Sequence, residues 1–199
     1  MPNRKEMSLS SMKYSKYLLS LMMVITLSAC VTSPLQQPVA TTPVVSPEVM
    51  QKYQSALRLM KLGKHEAALK VFAAVSLMDD RLSGPYVNSG LIYLQQDKKD
   101  AASTAFRQAI ERKPDNATAL TQLAVLQRED FQLEVARGNY QKAVDAEPDH
   151  GHAHLNLGIL CDIYLRDYAC ARDHYEAYLH INGEDADVKN WLIDLRERM

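Results

Sequence analysis

Glycine and proline are scarce in this chain, at seven and eight of 199 residues, and four of the prolines (Pro34, Pro38, Pro43 and Pro47) fall in one short stretch. So few breakers elsewhere leave the body free to be helix-rich. No charge of one sign dominates. The 23 basic residues stand against 24 acidic ones and neither half is strongly basic, so nothing marks a nucleic-acid partner. The apolar run from Tyr17 to Leu27 has eleven residues and is too short to span a bilayer comfortably. Catalytic signatures are missing as well. The chain has no G-x-S-x-G, no H-E-x-x-H and no glycine-rich phosphate loop, and its carboxylates are scattered over helix faces destined for solvent. No enzyme activity, cofactor or metal is therefore expected.

What is present begins with a leader. Arg4, Lys5, Lys13 and Lys16 precede the apolar run, which ends in Leu27-Ser28-Ala29-Cys30. Small residues before a cut fit a secretory signal peptide over residues 1–29. The cysteine directly after them resembles a bacterial lipobox, whose Cys is lipidated and becomes the new N-terminus. Met12 also opens a complete short leader. Val31 stands after Cys30 where Asp would imply inner-membrane retention, so the resemblance implies the outer membrane, with the body facing the periplasm. Removing residues 1–29 takes away four basic and one acidic side chain and moves the formal charge from −1 to −4. The acyl chains would then hold the protein to the membrane. From Cys30 through Pro47 the Pro-rich segment reads as a polyproline-II-leaning spacer, which at about 3.1 Å per residue would reach roughly 50 Å. A Pro-rich recognition ligand is the alternative.

The body carries a period of 34. Gly90, Ala102, Phe106, Ala109 and Pro114 recur as Ala124, Ala136, Tyr140, Ala143 and Pro148, and one period earlier as Ala56, Ala68, Phe72, Val75 and Asp80. Small falls on small and aromatic on aromatic, as stacked repeats require. Tyr86, Gly90, Tyr93, Ala102, Phe106, Ala109 and Pro114 resemble the tetratricopeptide repeat (TPR), a helix–turn–helix unit. That resemblance implies an all-α solenoid of four repeats over residues 48–183 and a capping helix over 184–199. One hairpin cannot bury its apolar face alone, so neighbours must stack. The units run about Val49–Leu82, Ser83–Asn116, Ala117–His150 and Gly151–Gly183. Gly63 suits the first turn, and the third lies around Asp130–Leu133. Asn116 reads as a helix boundary. The fourth unit is in register only after an insertion of one residue before Ala171. Asn182-Gly183 replaces its closing proline, with Gly183 suited to a left-handed cap. In the last helix Val188, Trp191, Leu192 and Leu195 share a face that would cover repeat four, with Glu184, Asp185 and Asp187 left in water.

Three further features invite chemistry. His150, His152 and His154 form an H-x-H-x-H run, but on a helix side chains two apart diverge, and His154 stands at the aromatic position of the repeat, where packing explains it. Cys161 and Cys170 flank the last hairpin turn. In an oxidising compartment an even pair so placed favours a disulfide, with two buried thiols as the alternative. The TPR resemblance, finally, implies a concave groove lined by the first helix of each unit. Its positions here are Tyr53, Asn88, Gln122 and Asn156, with Leu57, Leu91, Val125 and Ile159 a turn further on. The side-chain amides recur every 34 residues and could grip a peptide backbone regardless of its sequence, or be surface polarity alone. Arg128 and Lys61 by themselves do not make the family's carboxylate clamp. The whole resembles envelope TPR lipoproteins that scaffold assembly of machines such as type IV pili. That implies protein or peptide partners, and the alternatives are an accessory of a Tol- or Ton-like complex or an adaptor of peptidoglycan hydrolases or proteases. The sequence leaves the oligomeric state open.

Overall fold

The computed structural model describes residues 44–199. The leader, Cys30 and the tether as far as Pro43 lie outside the described residues. Four helix pairs and a last helix follow: α1 Pro47–Lys61 and α2 His65–Met78, α3 Gly84–Gln95 and α4 Lys99–Arg112, α5 Ala117–Glu129 and α6 Leu133–Ala146, α7 Gly151–Ile159 and α8 Tyr168–Asn182, then α9 Ala186–Arg198. The described residues contain no strand, and none of their helices is long and apolar enough to cross a membrane. The first helix starts inside what the sequence assigns to the spacer. Pro47 occupies its first turn, where the missing N–H is harmless, and Ser46 caps it by accepting from the Val49 amide at 3.3 Å.

Small residues decide how closely each pair packs. Gly90 faces the Phe106 ring so tightly that a Cβ there would stand 2.5 Å from it, and Gly158 meets Tyr175 at 2.6 Å in the same way. Ala102, Phe106 and Ala109 are fully buried, as are Ala136, Tyr140 and Ala143 one period on. Each pair packs on the next through its second helix. The first helices also touch one another, α1 with α3 and α5 with α7, whereas no comparable contact joins consecutive second helices. The first helices therefore line the tighter, inner side of the array, and the second helices splay on the outer side.

The turn inside each pair is built the same way. Gly63, Asp97, Phe131 and Arg166 all take positive φ, between 54° and 69°. The next residue then folds back: the Lys64, Lys98 and Gln132 amides donate to the carbonyls five residues earlier, of Leu59, Tyr93 and Gln127. In the fourth pair the amide of Asp167 reaches back six, to Cys161. The one-residue insertion is absorbed there by a π-helical segment, Leu160–Leu165, which continues α7. Cys161 thus sits in the π-helix.

Two expectations for the C-terminal end change. Gly183 has φ +84° but ψ −155°, so the chain leaves α8 extended, in a region open to glycine, rather than in the left-handed cap. Asp185 is no solvated bystander. It caps α9 by accepting from the amides of Asp187 and Val188, and it receives the Tyr178 hydroxyl at 3.2 Å. Val188, Leu192 and Leu195 are buried against Leu157 and Tyr175, while Trp191 is half-buried with its ring 5.5 Å from that of Tyr175.

Candidate partner-binding groove

The eight groove positions, Tyr53, Leu57, Asn88, Leu91, Gln122, Val125, Asn156 and Ile159, come from α1, α3, α5 and α7, and every one is half-buried. The four aliphatic side chains have one side in the core, each packed against the buried cluster of its own region. The other side is available.

The amides are less free than their spacing implies. Asn88 donates both protons of its Nδ2, to the Tyr53 hydroxyl and to the Gly84 carbonyl, each at 2.8 Å. Tyr53 in turn packs on Phe72 with ring centroids 5.8 Å apart, and burial pushes its hydroxyl pKa up despite the Asn88 hydrogen bond. Asn156 donates to the His152 carbonyl at 2.9 Å and accepts from Arg128 Nη1 at 3.4 Å. Gln122 makes no side-chain hydrogen bond among the described residues. Only Asn88 is left as an acceptor, because both its donors are committed while its Oδ1 remains open; Gln122 keeps both ends open. A peptide laid along the groove would offer an N–H to Asn88 and could pair in either sense with Gln122.

Arg128 was set aside at the sequence level, yet the structure places it at the repeat-four end of this groove. Its guanidinium lies 5.9 Å above the Tyr164 ring, which meets the Phe131 ring edge-on at 6.3 Å. This cluster joins residues from two units whose turns are offset by 35 rather than 34, and no periodic reading brings them together.

On the outer side, between α2 and α4, lies a cleft of about 610 Å³ walled by Leu69, Ala73, Leu77, Ala101 and Ala105 and floored by Tyr86 and Tyr93 of α3. One unit on, the corresponding space is smaller, about 340 Å³, and lined by Lys99, Ser103, Arg107 and Gln127. Gln127 stands at the repeat's tyrosine position. It is buried and accepts from Asn139 Nδ2 at 2.8 Å.

The histidine run behaves as its helical spacing requires. His154 is buried, its Nε2–H donates to the Pro148 carbonyl at 3.0 Å, and its Nδ1 then accepts from His174 Nδ1 at 3.0 Å. Burial, followed by the neighbouring His154, holds the His174 pKa below the ordinary imidazole value; burial lowers that of His150 too. No third His, Cys, Asp or Glu joins the pair as a metal site among the described residues. The structure joins Cys161 to Cys170 by a disulfide across the turn of the fourth pair, with Cα atoms 5.9 Å apart. Beside it, Asp162 is buried and receives three hydrogen bonds. Arg198 of α9 donates through Nη1 at 2.7 Å and Nη2 at 3.3 Å, and the Tyr175 hydroxyl donates at 3.4 Å. Nothing in the spacing of the sequence pairs Asp162 with Arg198.

Comparison with known proteins follows the same lines. Family models described as Tetratricopeptide repeat match residues 84–116 and 121–187. Among curated proteins, the Arabidopsis thaliana protein named probable UDP-N-acetylglucosamine–peptide N-acetylglucosaminyltransferase SPINDLY is 31% identical over 98 residues. The match covers 49% of this chain but only 11% of that relative. Among solved structures, PilF of Pseudomonas aeruginosa superposes with a TM-score of 0.65 at 19% identity, covering 75% of this chain and 69% of PilF. MamA from strain RS-1, as a double mutant, gives 0.64 at 15% identity, covering 78% and 86%. The first TPR of Spaghetti (RPAP3), bound to the HSP90 peptide SRMEEVD, gives 0.54 at 20% identity, covering 58% and 94%. At these identities the structural likenesses establish the fold.

Proposed function

Because this chain belongs to the tetratricopeptide repeat family, we propose that it is an outer-membrane-anchored scaffold that grips segments of partner proteins while an envelope machine such as a type IV pilus is assembled. Binding protein segments is the general work of such arrays. The observation that carries it to this chain is the inner face: eight half-buried positions on four successive first helices, where four aliphatic side chains stand beside Tyr53 and the amides of Asn88, Gln122 and Asn156. The anchoring part rests on the Leu27-Ser28-Ala29-Cys30 junction, and the choice of machine on the resemblance of a lipobox joined to such an array, with the fold likeness to PilF in support. The glycosyltransferase name of the SPINDLY relatives belongs to proteins of which this chain matches 11%, and no catalytic constellation stands among the described residues to receive it.

Two measurements test the reading. Cys30→Ser should move the protein out of the outer-membrane fraction, and retention there would remove the anchor. Replacing Asn88, Gln122 and Asn156 together by Ala should reduce recovery of crosslinked envelope partners. The triple variant should lose about 1 kcal/mol of stability, because Asn88 is tied to Tyr53, and still fold. Undiminished recovery of the same partners by the folded variant would mean that the inner face is not where they bind.

A further inference from the structure

At the repeat-four end of the groove, charge and aromatic surface are arranged beyond what packing uses. Arg128 closes α5, and among the described residues no carboxylate lies within ion-pairing distance of it. Glu129, its neighbour in the chain, is engaged by Lys99 at 2.7 Å. Arg128 has one side-chain hydrogen bond, the long one to Asn156, and its Nε–H is buried with no partner. The fully buried Tyr140 hydroxyl also lacks a partner. Burial drives its pKa far above the ordinary phenol range, with the nearby Arg128 charge opposing the rise. The Arg128 charge is thus left without an anionic partner among the described residues at this end of the groove.

The aromatic half is as unusual. Phe131 is 76% exposed at φ +56°, a backbone region that bulky side chains avoid. The first turn uses Gly63 at the same point. A turn needs no phenylalanine there, and an exposed one in a strained conformation points to use.

We propose that Arg128, Tyr164 and Phe131 anchor an acidic, apolar segment of the partner, with a side-chain carboxylate on the Arg128 guanidinium and the adjoining apolar side chain on the Tyr164–Phe131 rings. The inference deepens the scaffold reading and rests on it. The Tyr164 ring backs one side of the guanidinium, which leaves its edge for a carboxylate and keeps water from that side. Arginine beside exposed aromatics is also the composition in which binding energy concentrates at interfaces. A single cation takes a single carboxylate, so the site is distinct from a clamp built of several lysines and arginines.

The test is an NMR titration of the mature chain with three amidated peptides of equal length. The first alternates Glu with Leu and Phe, the second carries Gln in place of Glu, and the third carries Lys. The Glu peptide should shift Arg128 Nε–H and the backbone around Phe131 and Tyr164 saturably. The Gln and Lys peptides should bind at least about tenfold more weakly, and added salt should weaken the Glu peptide. Arg128→Gln should erase the preference for Glu over Gln. Phe131→Gly should weaken the Glu peptide while raising the melting temperature, whereas a turn residue of purely structural role would raise it with binding unchanged. Equal affinity for the Glu and Gln peptides, an unchanged affinity in Arg128→Gln, or no saturable shift up to about 1 mM peptide overturns the proposal. The two readings fail separately. If partner recovery depends on Asn88, Gln122 and Asn156 while the Glu peptide ignores Arg128, the scaffold stands and the anchor falls.

Discussion

At Gly63, Asp97, Phe131 and Arg166 the backbone enters the left-handed region at the same step of each turn, and four different side chains share one conformation. Only glycine takes it without a Cβ penalty of roughly 1–2 kcal/mol, and Asp tolerates it better than Phe or Arg. Arg166 is exposed and makes no hydrogen bond that offsets the strain. Arg166→Gly should therefore raise the unfolding free energy by about 1 kcal/mol and Gly63→Ala should lower it by a similar amount, read from denaturant midpoints at unchanged slope. Gly90 is a residue of the opposite kind, held by space rather than by φ. Its missing Cβ leaves room for the Phe106 ring, so Gly90→Ala should cost about 1–3 kcal/mol in the same assay. One period later Ala124 sits fully buried with Tyr140 in place of Phe106, so the ring can be accommodated where the helices have settled around a methyl group. The sequence displayed the small-on-aromatic pairing plainly, because both partners recur at fixed spacing. It could not display the left-handed step, since Asp, Phe and Arg carry no common signal for it. Nor could it show that the amide protons of Asn88 are committed to Tyr53 and Gly84, a matter of side-chain direction rather than spacing.

The fourth helix pair differs from the others as an element. One extra residue enters before its turn, the helix widens into the π-helical Leu160–Leu165, and a disulfide closes the hairpin over a separation of nine residues. Closing so short a loop removes unfolded-state entropy worth about 2–3 kcal/mol. Cys161→Ser with Cys170→Ser should lower stability by that order, visible in denaturant titrations as a shift that reducing agent reproduces in the natural chain and not in the variant. The insertion was legible as a break in the 34-residue register; that it would be absorbed by a π turn rather than by a longer loop was not, since either restores the period. The same pair contributes a pH dependence. The His174 pKa is lowered by burial and by His154, and the His150 pKa by burial, with Asp173 and Glu147 opposing and Arg137 adding to the lowering at His174. A histidine whose folded-state pKa lies below its unfolded value binds more protons when unfolded. Its contribution is present above the unfolded value, about 6.5, and is lost as pH falls below it. The unfolding midpoint should drop between pH 7.5 and pH 5.5, and His174→Gln should flatten that slope.

Across the whole array, order along the chain maps onto order in space, which is why so much of the architecture could be read from one period. What escaped is what crosses units out of register: Arg128 with Tyr164 and Phe131, and Asp162 with Arg198, thirty-six residues away on α9. The last helix closes the array by covering Leu157 and Tyr175, so a chain ending at Gly183 should expose that face. Size-exclusion chromatography should then show higher-order species absent from the full chain, with the Asp162 carboxylate left without its arginine. The disulfide has one more consequence, which appears under load. Stacked repeats peel from their ends, and a force entering at Val44 meets α1 and α2 first, a pair with no covalent link between its helices. The fourth pair, by contrast, cannot give up the segment between Cys161 and Cys170, about 30 Å of contour at full extension. A pull from the N-terminal side would thus unravel the array from repeat one inward and leave the Arg128 end of the groove, with whatever it holds, as the last part to let go.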